Sequence, residues 1–90
     1  MLEFAPNWKQ SVQFPYNERR LTDILKTAHG ALGHAIRSNS DTVHVVACTQ
    51  MGGAPGAAAQ DSQPRVTLTW GHNTYQVRLN QFGGIVEVTS

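Results

Sequence analysis

Cysteine is almost missing from this chain: Cys48 is the only one in 90 residues. A single thiol excludes an intramolecular disulfide, and with it the small secreted scaffolds that rely on such staples. Charge is also sparse. Asp, Glu, Lys and Arg make up 14% of the residues, against about 25% in an ordinary domain. Seven cations and six acids leave a formal charge of +1, which gives little electrostatic case for a nucleic-acid binder. No apolar run approaches the ~20 residues needed to cross a bilayer. The start of the chain, MLEFAPNWKQ, lacks the basic region and long apolar stretch of a signal peptide. These absences point to a single cytoplasmic domain over 1–90, large enough for one modest core.

Catalytic and metal-binding patterns are missing too. There is no HExxH, no CxxC and no GxSxG. His29 and His34 are five apart, which turns them about 140° from each other on a helix. His44 and Cys48, if they share one strand face, stand roughly 13 Å apart. The acids Glu3, Glu18, Asp23, Asp41, Asp61 and Glu87 are scattered singly, so no carboxylate pair is set up for acid–base work. Cys48 lies among Val and Ala and reads as a small buried hydrophobe, not a nucleophile. Gly52-Gly53-Ala54-Pro55-Gly56 follows a strand, but it lacks the Lys-Ser/Thr pair of a phosphate loop. No catalytic residue, metal or cofactor is expected.

What is present is a change of period. Leu21, Ile24, Leu25, Ala28, Leu32, Ala35 and Ile36 recur at steps of three and four, the apolar stripe of a helix over Glu18–Arg37. Asn17 suits its N-cap, and Ser38-Asn39-Ser40-Asp41 suits its end. After Asp41 the pattern alternates. Strands are expected over Thr42–Gln50, Arg65–Trp70, Thr74–Asn80 and Ile85–Thr89, with turns at Gly71-His72-Asn73 and Gly83-Gly84. On the second strand Val43, Val45 and Ala47 should share one face, with His44, Val46 and Cys48 on the other. Val12, Phe14 and Tyr16 suggest a first, edge strand over Ser11–Tyr16, ended by Pro15. The expected class is α+β: one amphipathic helix on a four- to five-stranded, mainly antiparallel sheet, in the order β-α-β-β-β-β. Between Gln50 and Arg65 lies a Gly/Ala-rich segment, 51–64, read as a flexible loop.

Two surfaces are candidates for function. One helix cannot cover both faces of such a sheet, so one face should stay open. That face should carry Arg65, Thr67, Thr69, Thr74, Gln76, Arg78 and Asn80. The second is the helix flank, where Arg19, Lys26 and Arg37 fall within about 60° of one another around Gly30 and Gly33. Glycine inside a helix costs about 1 kcal/mol relative to alanine, so the pair suits close packing by another helix or sheet, an acidic partner lying across the groove, or a solvated face that tolerates both. The leading expectation is a non-enzymatic protein-binding module, an adaptor or inhibitor, working as a homodimer. Small proteins of phage-like mobile elements often fill that role. The alternative is nucleic-acid binding through Arg19, Lys26, Arg37, Arg65 and Arg78. Against it, Trp70 and Tyr75 take the inward parity, so the open face lacks a stacking platform. A third reading is a small-molecule or enzyme site under the 51–64 loop.

Overall fold

The computed structural model describes residues 1–50 and 63–90. The element order is β1 (Leu2–Phe4), α1 (Glu18–Leu25), α2 (Gly30–Arg37), β2 (Val43–Thr49), β3 (Arg65–Trp70), β4 (Asn73–Leu79) and β5 (Ile85–Thr89). The strands form one sheet in the order β1-β2-β3-β4-β5. β1 runs parallel to β2, and every later pair is antiparallel. This is the expected α+β class and order. Its helical layer packs on one face, where Leu21, Leu25, Ala28, Leu32 and Ile36 are buried with Val43, Val45, Val66, Leu68, Val77 and Leu79. No helix among the described residues is long and apolar enough to cross a membrane.

The helix predicted over Glu18–Arg37 is present but bent into two pieces. Asn17 caps α1 by accepting from the Arg20 amide at 2.8 Å. The chain then leaves helical geometry, and α2 begins at Gly30 with φ +78°. That left-handed conformation is one that residues with a Cβ rarely adopt. Gly33 has the opposite reason. A Cβ there would lie 2.0 Å from the Ala28 carbonyl oxygen, so the two helical pieces can meet only over a bare backbone. Arg37 closes the bend by donating from Nη1 to the carbonyls of Lys26 (2.8 Å) and Ala28 (2.9 Å). At the other end of α2, the Met1 amino group donates to the carbonyls of Ala35, Ile36, Ser38 and Asp41. A positive group there satisfies carbonyls that the helix leaves unpaired.

Two strand expectations need correction. The first strand is Leu2–Phe4, not Ser11–Tyr16. Residues 11–14 form a turn in which the Phe14 amide donates to the Ser11 carbonyl. The Ser11 hydroxyl accepts from the Gln13 amide and donates to the Gln50 carbonyl, so local bonding displaces the ladder. Phe14 enters the core, whereas Val12 is 98% exposed. Rings of Phe4, Trp8, Phe14 and Tyr16 follow one another edge to face at 5.0, 6.2 and 5.8 Å. They anchor this irregular segment beside β2. On β2, a bulge between Val45 and Ala47 inserts one residue and flips the parity after it. Cys48 therefore joins Val43 and Val45 in the core, Ala47 turns outward, and His44 and Cys48 lie on opposite faces.

The β3–β4 connection is a two-residue hairpin turn, Gly71-His72, with Trp70 opposite Asn73. Gly71 has φ +63°, while among the described residues no residue with a side chain, His72 included, has a positive φ. That combination is a type II′ turn, whose twist matches the flanking strands. In the β4–β5 turn, the Asn80 side-chain oxygen accepts from the amides of Phe82 (2.9 Å) and Gly84 (2.8 Å). The segment expected to be a flexible loop, 51–64, lies outside the described residues except for Gln63 and Pro64.

Candidate functional site

Six of the seven residues expected on the outer face lie in its strands, Arg65, Thr67, Thr69, Thr74, Gln76 and Arg78; Asn80 lies past the end of β4, where its side chain holds the β4–β5 turn instead. Strand register arranges them in three rows. In the first, Thr49 stands opposite Arg65, Arg65 opposite Arg78, and Arg78 opposite Glu87. The second row runs Ala47, Thr67, Gln76, Thr89, and the third Glu3, His44, Thr69, Thr74. Helices α1 and α2 pack on the other side, so nothing described covers these rows.

Charge on this face is confined and mostly compensated. Arg78 Nη2 lies 2.9 Å from Glu87 Oε2. Arg65 is exposed and directly opposite Arg78, so this row sets two guanidinium groups side by side with one carboxylate beyond Arg78. At the far end His44 Nδ1 lies 3.5 Å from Glu3 Oε2. Between them, Thr67 donates from Oγ1 to Gln76 Oε1 at 3.1 Å. The centre of the face is therefore made of small, neutral side chains, with hydroxyl and amide groups that can donate or accept.

The helix flank is reorganised by the bend. Lys26 sits at the end of α1 and Arg37 at the end of α2, and both line a hollow of about 400 Å³ with Thr22 and Asn39. Arg19 does not line that hollow. Arg37 is engaged in holding the bend together. The five cations of the nucleic-acid alternative thus fall on opposite sides of the sheet and form no single basic surface.

The chemistry-bearing residues that remain stand apart. Cys48 is fully buried, and burial pushes its thiol up to about 12, so it stays protonated and unreactive at neutral pH. Among the described residues there is no group of three or more His, Cys, Asp or Glu that could hold a metal ion.

The loop of the third reading, 51–64, lies outside the described residues except for Gln63 and Pro64, and a hollow lies beside those two. A cavity of about 770 Å³ opens at the end of the sheet where β2 leaves and β3 enters. Among the described residues Gln13, Pro15, Tyr16, Gln50, Gln63, Pro64, Asn80, Gln81 and Phe82 line it, and none of these side chains is charged. Its volume falls in the range of ligand pockets, about 300–1,000 Å³. Phe82, 78% exposed on the Asn80-centred turn, was its one visible signal: a bulky apolar residue beside Gly83-Gly84. The other walls come from three distant segments that only the fold assembles.

No protein-family model, curated protein or solved structure matches this chain.

Proposed function

We propose that this protein is a non-enzymatic protein-binding module that docks a partner on the outer face of its sheet, in the manner of an adaptor or inhibitor. The observation that carries this reading is a five-stranded face with no covering layer among the described residues, whose centre is Ala47, Thr67, Thr69 and Gln76. Domain interiors and interface centres are both depleted of charge, whereas ordinary surfaces are not. A neutral face rimmed by Arg65, Arg78 and Glu87 fits that pattern. The aromatic anchors frequent in interfaces are missing from it, so the partner would supply them.

The test is affinity capture from extract of the source cell with wild type and with an Arg65→Glu/Thr67→Arg variant. Both side chains project from the uncovered face, so stability should change by less than about 0.5 kcal/mol per site. Loss of one discrete partner from the variant supports the reading. Retention of every captured protein refutes it. Capture that weakens steeply with salt and disappears after nuclease treatment would favour nucleic acid instead.

A second reading rests on the cavity at the sheet end. Its lining of four glutamines, an asparagine and two aromatic rings suits an uncharged ligand with hydroxyl or amide groups. Thermal-shift screening with neutral and charged small molecules tests it, because a ligand that binds only the folded form raises Tm. Neutral ligands should raise it and charged ones should not.

A further inference from the structure

The sheet has two ends, and they differ. β1 is only three residues long, and Pro6 follows soon after it. β5 is five residues, Ile85–Thr89, and it pairs with β4 on one side only. Among the described residues nothing pairs with its other edge. A free strand edge presents a row of unpaired backbone donors and acceptors. Proteins that keep such an edge to themselves guard it with lysine, proline or inward-pointing charge. β5 has neither lysine nor proline and no inward-pointing charge; the one such device it carries is a β-bulge at Val86, near its start, which leaves Glu87–Thr89 regular. Its sequence is Ile-Val-Glu-Val-Thr, and its one charge, Glu87, is already paired with Arg78 on β4.

We infer that β5 is a self-association edge: it pairs antiparallel with β5 of a second copy of this chain, joining two sheets into one of ten strands. The inference stands on the strand edge and does not depend on what occupies the sheet face.

Three observations select a second copy and set its register. The ladder between β4 and β5 is broken by a bulge between Arg78 and Leu79, which leaves Val86 as the extra residue. The regular part of β5 is therefore Glu87, Val88 and Thr89, and its midpoint is Val88. A two-fold axis through Val88 sets Val88 against Val88 of the second copy, and Glu87 against Thr89. In that register no like charges face each other, and each Thr89 hydroxyl can donate to the opposing Glu87 carboxylate. The neighbouring register centred on Glu87 would oppose two carboxylates. Side-chain parity agrees as well. Val88 is opposite Val77, on the helical side of the sheet, yet it is 40% exposed, whereas Ile85 at the start of β5 packs against the core. Pairing across the axis continues the buried row Cys48, Val66, Val77 into Val88 and its counterpart.

One pair of five-residue strands buries less than the about 1,200 Å² of a standard interface. The dimer should accordingly be weak and depend on concentration.

Sedimentation velocity from micromolar to millimolar protein gives the first readout. Wild type should pass from monomer to dimer over that range. Val88→Lys opposes two ammonium groups at the axis and should weaken the dimer about tenfold or more. The register is read by cysteine cross-linking under mild oxidation. Val88→Cys should form a disulfide dimer, because opposed residues stand about 4.5–5.5 Å apart between Cα atoms. Thr89→Cys should not, because its counterpart lies beyond the about 7 Å that a disulfide can span. Buried Cys48 gives no background. Should Val88→Lys fail to fold, the pair of cysteine variants decides alone. A protein that stays monomeric at millimolar concentration overturns the inference. So does faster cross-linking at Thr89→Cys than at Val88→Cys. Loss of the dimer in Arg65→Glu/Thr67→Arg but not in Val88→Lys overturns it too, and would show that the copies meet through their sheet faces. Partner capture is a separate readout: Val88→Lys should retain it, so failure of either proposal is visible without the other.

Discussion

Gly33→Ala separates two accounts of the bent helix. Helix propensity alone says that replacing an interior glycine with alanine should stabilise the protein by about 1 kcal/mol. The geometry says the reverse. The new Cβ would lie 2.0 Å from the Ala28 carbonyl oxygen, 2.6 Å from its carbon and 3.3 Å from Arg37 Nη1. Backbone cannot yield as a flexible side chain does, so α2 must move away from residue 28. Overpacking of this kind costs about 1–3 kcal/mol. The shift also pulls Arg37 off the Lys26 and Ala28 carbonyls, which adds to the loss. A net destabilisation of about 2–4 kcal/mol is expected, and at about 4–8 °C per kcal/mol for a domain this size, Tm should fall by about 10–25 °C. Urea unfolding followed by circular dichroism measures it. Gly30→Ala is the control. Nothing lies within 4 Å of a Cβ at Gly30, so only its left-handed backbone, φ +78°, resists the change, at about 1–2 kcal/mol. The steric account requires Gly33→Ala to be the worse of the two. Equal or greater stability than wild type in Gly33→Ala would refute it and restore a continuous helix.

Leu25→Ala and Leu32→Ala should each cost about 2–5 kcal/mol, since both side chains are buried between the helical layer and the sheet; urea midpoints check this. Cys48 should resist alkylation in the folded protein at pH 8 and react at once in urea, followed by mass spectrometry. The same thiol makes stability fall with alkaline pH. The unfolded thiol ionises near 9.0 while the folded one holds its proton to about 12. Between those values the folded state binds more protons, so unfolding free energy declines by up to about 1.4 kcal/mol per pH unit. That extra slope should vanish in Cys48→Ala. Thr67→Val removes the Oγ1 bond to Gln76 on the open face and should leave the urea midpoint nearly unchanged, within about 0.5 kcal/mol.

Much of the fold could be read from the residues because each period is tied to one layer. Val66, Leu68, Val77 and Leu79 alternate because one face of β3 and β4 meets the helices. Leu21, Leu25, Ala28, Leu32 and Ile36 keep a helical spacing because both helical pieces lie on that same face. The same spacing hid the bend: Ala28 and Leu32 are four apart whether or not residues 26–29 are helical. Gly30 and Gly33 marked the place: of the readings open for them, close packing holds at Gly33, and it lies within the chain. Bulges left no such mark. One inserted residue on β2 sends Cys48 inward and Ala47 outward, and nothing in VHVVACT announces which residue is extra. β1 is too short to show a period at all. For the outer face, parity was enough to gather Arg65, Thr67, Thr69, Gln76 and Arg78. The walls of the cavity were beyond reach, since Gln13, Gln50, Gln63 and Phe82 meet only after the sheet has formed.

The parallel pairing of β1 with β2 bears on how the chain folds. β3 and β4 are joined by two residues, so their ladder closes at small entropic cost. β1 and β2 register Leu2 with Val43 and Phe4 with Val45, and residues 5–42 lie between them. Contacts of such long sequence separation come late. The hairpin should thus serve as the nucleus, with the N-terminal segment docking last and, in the native state, opening first. The two tryptophans fall on either side of this divide. Trp70 ends β3 and packs beside Tyr75 at 6.3 Å, whereas Trp8 sits between Phe4 and Phe14 beside β2. A chain with so few aromatic residues therefore carries one intrinsic fluorophore for the early event and another for the late one, and single-tryptophan variants would time them separately.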